Sequence, residues 1–221
     1  MPVPRFATTL FAVLLAATAV ESARAEATTA RQLVARFHVT LLDLMKNAVH
    51  LGVKGRYQKL APEIEQTFHL KLMVRVSIGS YWKNADNGER DRLAEAFSQY
   101  SISTYASQFD SYSGQKFSII GEKRGPQNTT LVSTRITNPG GDDVDLTYVT
   151  RQFKKNWRIV DVLLDTGISQ LAVRRSEYRR ILRSGGINSL IEALNTKARE
   201  LVPDYPALPS SSAGASPGRT E

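Results

Sequence analysis

The chain has 221 residues, 29 Lys and Arg against 21 Asp and Glu, and no cysteine, for a formal net charge of +8. Without cysteine it carries no disulfide scaffold and no thiolate-ligated zinc or iron–sulfur centre. An apolar fraction of 42% with 14 Gly and 9 Pro excludes a collagen-like or wholly disordered chain and leaves one ordinary folded domain as the expectation.

Residues 1–25 read as a cleavable secretory signal: Arg5 gives a basic start, Phe6 to Val20 is an apolar run without charge, and Ala23-Arg24-Ala25 is a small-x-small cleavage motif before Glu26. As a helix that run spans about 22 Å, short of the ~30 Å hydrocarbon core, which favours cleavage over permanent anchoring. The domain is then expected over 26–202, and the whole chain without the leader, residues 26–221, carries 27 basic and 20 acidic residues. The basic excess is local: between Arg151 and Arg199 there are eleven cations and four acids. Such a stretch reads as a solvated face or as a surface drawn to anionic membrane or an acidic partner. No aromatic-interleaved basic motif points to nucleic acid.

Leu33, Phe37, Leu41, Leu44 and Ala48 recur at steps of four, four, three and four, which predicts a helix over 28–50, with Thr29 and Gln32 as a capping box. After a break at Gly52 to Gly55 the helical pattern resumes at Tyr57, and Pro62 is expected to start a further short helix, where its missing N–H costs little. Residues 63–82, carrying Ile64, Phe68, Leu72, Met73, Val76 and Ile78, are apolar on most sides of a helical wheel and call for a helix packed all round. A break at Asn87-Gly88 precedes a helix of about 20 residues marked by Leu93, Phe97, Tyr100, Tyr105 and Phe109.

The period then changes. Stretches 115–121, 129–137, 144–153 and 157–164 are rich in Val, Ile, Thr and aromatics, with turn clusters between them at Gly125-Pro126, Asn138-Pro139-Gly140-Gly141 and Lys155-Asn156. They predict a four-stranded antiparallel meander. Val144, Leu146 and Tyr148 share one face of the third strand, so one side of the sheet looks onto a core or cavity. Two helices are expected over 168–183 and 187–201, divided by Gly185-Gly186. In the first, Ile168, Leu171, Tyr178 and Leu182 mark the packed side, and Arg174, Arg175, Arg179, Arg180 and Arg183 crowd the remainder. Helices, then a sheet, then helices describe an α+β class. The Pro- and Ser-rich stretch 203–221 reads as a disordered tail.

The residues offer little chemistry. His38, His50 and His69 fall in no metal-ligand spacing and read as structural, and the GxSxG, HExxH, GxxxxGK[ST] and GxGxxG motifs are missing. Asp161 and Asp165 lie four apart. Paired carboxylates can divide acid and base roles; the more ordinary reading is that Asp161 meets a cation and Asp165 caps the turn or helix after it. The Arg174-Arg175 and Arg179-Arg180 pairs can hold a phosphate or carboxylate bidentately.

The stretches FHLKLMVRVSIGSYW, AFSQYSISTYASQFDSYSG and above all WRIVDVLLDTGISQLAVRRSEYRRILRSGGINSLIEAL resemble the MlaC/toluene-tolerance family of periplasmic lipid carriers, and within it the branch encoded with hopanoid biosynthesis (HpnM-like). The likeness runs from about Thr28 to Leu201 and is most specific where a Trp-led strand passes through Gly167-Ile168-Ser169 into a helix bearing Arg175 and Tyr178. Family members often carry Asp after the Phe corresponding to Phe68; here it is His69, so no acidic role transfers to that position.

The resemblance implies an NTF2-like α+β fold enclosing an apolar pocket, a phospholipid or hopanoid ligand, and work beside an ABC-type inner-membrane transporter and an outer-membrane acceptor. It implies no catalytic residue and no cofactor. By that analogy the pocket-wall candidates are Phe68, Leu72, Met73, Val76, Trp82, Phe97, Tyr100, Tyr105, Tyr148 and Val162, each equally at home in an ordinary core. Arg174, Arg175, Arg179 and Arg180 become candidates for docking to a membrane or partner. Two other readings stand beside this one: an NTF2-like enzyme acting on a polyprenoid through Asp161, Asp165 or Tyr148, and a solid adaptor that holds biosynthetic enzymes at the membrane.

Overall fold

Helix α1 (Ala30–Lys46) starts at a reciprocal cap. The Gln32 N–H donates to the Thr29 hydroxyl oxygen at 3.1 Å, and the Thr29 N–H donates to the Gln32 side chain at 2.8 Å. Its stripe of Leu33, Phe37, Leu41 and Leu44 is buried. The computed structural model describes residues 28–164 and 167–203; the expected leader, the expected tail beyond Pro203 and Asp165 lie outside them.

Helix α2 (Ala48–Thr67) bends at Gly52, whose φ of 58° suits a residue without Cβ, while Gly55 stays helical. Pro62 does not begin a new helix; it lies inside α2. An interior proline costs about 3 kcal/mol, and the burial of Tyr57, Leu60 and Ile64 around it holds the helix through that position. Buried Arg56 braces this segment, donating from Nε to the Ala106 carbonyl at 2.7 Å and from Nη1 to the Ala48 carbonyl at 2.9 Å.

The helix expected over 63–82 is interrupted at Phe68 and His69. Phe68 bridges Ile159 in a parallel sense, and the His69 N–H donates to the Ile159 carbonyl at 2.9 Å. Helix α3 (Leu70–Ile78) begins there with His69 as its cap, Nδ1 accepting from the Leu72 N–H at 3.3 Å. A short α4 (Ser80–Asn84) and a long α5 (Asn87–Gln108) follow. Asn87-Gly88, expected as a break, is the first turn of α5, because Asp86 and Glu89 form a second capping box just before it.

The sheet is an antiparallel meander in the order β1-β2-β3-β4-β5. Strands β1 (Lys116–Arg124), β2 (Thr129–Thr137), β3 (Val144–Phe153) and β4 (Asn156–Leu164) match the four expected, and a two-residue β5 (Ile168–Ser169) adds a fifth. Register shifts at Ile119/Gly121 in β1 and Val149/Thr150 in β3 sharpen the local twist. Val132, Thr134, Leu146 and Tyr148 are buried on the inner face, whereas Arg135 and Asp145 pair bidentately on the outer face at 2.6 and 2.7 Å. Helix α6 (Gln170–Leu201) combines the two expected C-terminal helices as limbs of one helix bent at Gly186, φ 69°.

Helix α1 lies across β1 to β4, and α5 packs against α2 and α6, so the helices cover one face of the sheet in an α+β arrangement. At the centre, Phe37 meets Phe68, Tyr105 and Tyr148 edge-on at centroid distances of 5.3, 5.6 and 6.3 Å, which joins α1, the α2–α3 junction, α5 and β3 in one aromatic cluster.

His38 is buried between Phe117 and Tyr148, and its Nε2 has no hydrogen-bond partner among the described residues. Burial disfavours the imidazolium and pulls its pKa from 6.5 to about 4. The unfolded chain therefore takes up a proton over pH 6.5 to 4 that the native imidazole refuses, and stability falls by roughly 3 kcal/mol as the pH drops through that window. His69, lowered first by burial, adds to the same trend. Urea unfolding of His38→Phe between pH 7 and 4 is expected to show a clearly shallower loss of stability than the parent; equal slopes would refute the assignment.

Candidate functional site

Strands β3 and β4 are antiparallel with Leu146 opposite Leu164 and Tyr148 opposite Val162. Because side chains alternate along a strand, Val144, Leu146, Val162 and Leu164 point to the helical side. There they meet Ile64, Phe68, Met73, Phe97 and Tyr105 around a cavity of about 310 Å³. Ser101, Thr104, Gln108, Gln170 and Arg174 add polar atoms to a wall that is otherwise mainly apolar.

Of the residues expected in the wall, Phe68, Met73, Phe97, Tyr105 and Val162 line this cavity. The others do not. Val76 is 48% exposed on the far side of α3, and Leu72, one residue before cavity-lining Met73, is only half-buried and turns away with it. Trp82 marks the α4–α5 corner, where its carbonyl accepts from Arg90 Nε at 3.0 Å and its ring lies under the same guanidinium. Tyr148 is core, packed on Phe37 and His38, and Tyr100 lies beneath the Arg174 guanidinium at 4.8 Å. Burial raises the phenols of Tyr105 and Tyr148 above their usual range, so both stay neutral hydroxyls.

The sequence reading missed Val144, Leu146 and Leu164 as wall residues, although the period-2 pattern had already placed Val144 and Leu146 on one face. It also misplaced Arg174. That residue is not part of an outer docking face; its guanidinium lies over the rings of Tyr100 and Phe97 and donates to the Tyr178 hydroxyl at 3.4 Å. The signal was the spacing, since Arg174 follows Leu171 by three and precedes Tyr178 by four, which sets it on the packed stripe. Arg175 and Arg179 instead flank a small crevice beside Ser77 and Gly79, and Arg180 is exposed.

Among the described residues Asp161 meets no cation. One of its oxygens accepts from the Val162 N–H at 2.8 Å and the Leu171 N–H at 3.2 Å, the other from the Ser169 hydroxyl at 2.5 Å, and Ser169 in turn accepts from the Ala172 N–H at 3.0 Å. This carboxylate therefore secures the start of α6, a task the sequence reading gave to Asp165. Two larger clefts, about 540 and 570 Å³, lie at the β3–β4 hairpin end and present Arg36, Glu63 and Arg158 or Lys71, Asp91 and Arg158; walls so charged give an apolar chain no shelter. Among the described residues there is no cluster of metal-ligating side chains and no helix long and apolar enough to cross a membrane.

A family model described as MlaC protein matches residues 36–196, which takes in every strand and most of the helical layer. The chain belongs to the MlaC family. One curated relative, the intermembrane phospholipid transport system binding protein MlaC of Haemophilus influenzae, is 28% identical over 127 residues, 56% of this chain and 59% of the relative. The match thus spans less than two thirds of that relative's length. Among solved structures, the phospholipid-binding protein of Ralstonia solanacearum in complex with a phospholipid aligns with a TM-score of 0.67 at 17% identity, covering 76% of this chain and 96% of the other. At that identity the likeness establishes a shared fold.

The capping role of Asp161 predicts that Asp161→Ala lowers stability by about 1–2 kcal/mol, read as a drop in the urea midpoint at unchanged slope. A variant as stable as the parent would remove the carboxylate from this role.

Proposed function

We propose that this MlaC-family protein is a phospholipid-binding transport protein that acts stoichiometrically in the periplasm, carrying a lipid between inner- and outer-membrane components with its tails in the cavity between sheet and helices. The observation that carries the reading is that cavity, about 310 Å³ and walled mainly by apolar side chains, within an MlaC fold. The relative's role in intermembrane phospholipid transport and the phospholipid bound to the structural neighbour support the ligand class.

Shelter is a physical requirement for such a task. A chain of ~16 methylenes exposed to water costs on the order of 13 kcal/mol at ~0.8 kcal/mol per CH₂, so a lipid crosses an aqueous gap at a useful rate only inside a partner. The cavity stands at the small end of ligand pockets, which run from about 300 to 1,000 Å³. A second tail, or the fused rings of a hopanoid, requires the walls to part, and unbranched Met73 on α3 is the side chain best suited to yield. An ABC-type transporter and an outer-membrane acceptor are the proposed partners, and the N-terminal leader is the proposed route of export. The exposed Arg175, Arg179, Arg180 and Arg183 on α6 form the proposed contact with anionic membrane or an acidic partner, each worth about 1 kcal/mol near charged lipid.

Organic extraction of the purified protein followed by mass spectrometry should yield phospholipid in near-stoichiometric amount. Val162→Trp, which fills the cavity from β4, should lose most of it while retaining a cooperative unfolding transition; lipid-free wild-type protein would defeat the carrier reading. Arg179→Glu with Arg180→Glu should weaken sedimentation with anionic vesicles in a salt-dependent way. A salt profile like that of the parent would exclude this face.

A further inference from the structure

Arg174 is the one charged side chain in the cavity wall among the described residues. Its partners are two aromatic faces, Tyr100 at 4.8 Å and Phe97 at 5.6 Å, and the Tyr178 hydroxyl at 3.4 Å. None of them carries a negative charge. No described carboxylate forms an ion pair with Arg174, and the nearest acid along its helix, Glu177, is paired with Lys197 at 3.9 Å. Tyr178 is buried, which holds its phenol neutral.

A guanidinium does not release its proton under physiological conditions, so the cavity wall carries a permanent positive charge. Ring faces and one long neutral hydrogen bond offset only part of the cost of taking that charge out of water. Further hydrogen-bonding groups lie in the same wall. Gln170 is one turn earlier on α6, and Ser101 and Thr104 on α5 add hydroxyls, the Thr104 hydroxyl donating to the Tyr100 carbonyl at 2.7 Å. The wall is thus apolar over most of its area, with one cation lacking a counter-ion and neutral hydrogen-bonding groups in the same cavity.

We infer that the ligand sets a phosphate-ester oxygen of its headgroup against Arg174, so that the cavity selects phospholipids of net negative charge over zwitterionic and uncharged lipids. This rests on the lipid-binding reading above and narrows its ligand. The planar fork of a guanidinium matches two phosphate oxygens, and a singly negative headgroup supplies the charge the wall lacks. A zwitterionic headgroup brings its own cation toward Arg174. An uncharged polycyclic lipid buries the guanidinium further and leaves it unpaired.

The test uses the full purified chain and mixed vesicles of dioleoyl-phosphatidylglycerol, dioleoyl-phosphatidylcholine and dioleoylglycerol in equal amounts, three lipids with the same tails. Protein is recovered and its bound lipid is measured by mass spectrometry. Phosphatidylglycerol should be enriched about tenfold over dioleoylglycerol, the factor expected of one charge-assisted contact, and to a smaller degree over phosphatidylcholine. In Arg174→Met the enrichment should collapse while lipid is still bound, and Arg174→Lys should keep part of it. Bound lipid that mirrors the vesicle composition would overturn the inference, as would an unchanged preference in Arg174→Met. Displacement of phosphatidylglycerol by inorganic phosphate alone would also overturn it, because the site would then serve a small free anion. The wild-type comparison decides the matter even where the variant is not recovered. Uptake of all three lipids without preference defeats only the charge selectivity, whereas uptake of none defeats the carrier reading itself.

Discussion

A single hydrogen bond from the His69 N–H to the Ile159 carbonyl sets the layout of this molecule. Residues 63–82 have the composition of one continuous helix, and the chain departs from it only at Phe68 and His69, where the backbone reaches across to β4. The departure places Phe68 in two environments at once, packed on Phe37 and Tyr105 behind and lining the cavity in front. It also restarts the helix in a new direction, which brings Leu70 and Met73 to the cavity and leaves Val76 to solvent. The imidazole of His69 then caps the new helix. A neutral ring nitrogen can accept a backbone N–H as a carboxylate oxygen does, so the position can serve the same structural purpose without an acid.

Where the sequence was legible, the controlling interactions were local. The cap at Thr29 and the alternation in β3 each depend on residues a few positions apart, and the structure reproduces them. Only the start of α5 was displaced, because Asn87-Gly88 carries a turn signature that the Asp86–Glu89 box overrides. Pro62 and the break at Phe68 were not legible, because each is decided at long range: one by burial of the helix around it, the other by a strand some ninety residues away. The cavity shares that difficulty. A large apolar side chain has the same signature whether it faces a neighbour or an empty volume, so Tyr148 and Tyr105 could not be told apart until the fold put one in the core and the other at the wall.

The basic stretch from Arg151 to Arg199 divides in the same way. Arg158 Nη1 donates to the Glu65 and Gln66 carbonyls at the end of α2, a position where a cation complements the helix dipole. Arg174 is committed to the cavity, whereas Arg175 and Arg179 stay exposed beside Gly79. The surface field available to a membrane is therefore smaller than the charge count suggests, and it is concentrated along the outer side of the first limb of α6.

Among the described residues strand β1 is paired on one side only, and it carries both a register shift beside Gly121 and exposed Lys116, Glu122, Lys123 and Arg124. An unpaired strand is an open template for another copy of the chain, and irregular twist together with exposed charged side chains opposes such templating. In a protein with a greasy interior, the most adhesive stretch of backbone is thereby kept from seeding growth into fibres.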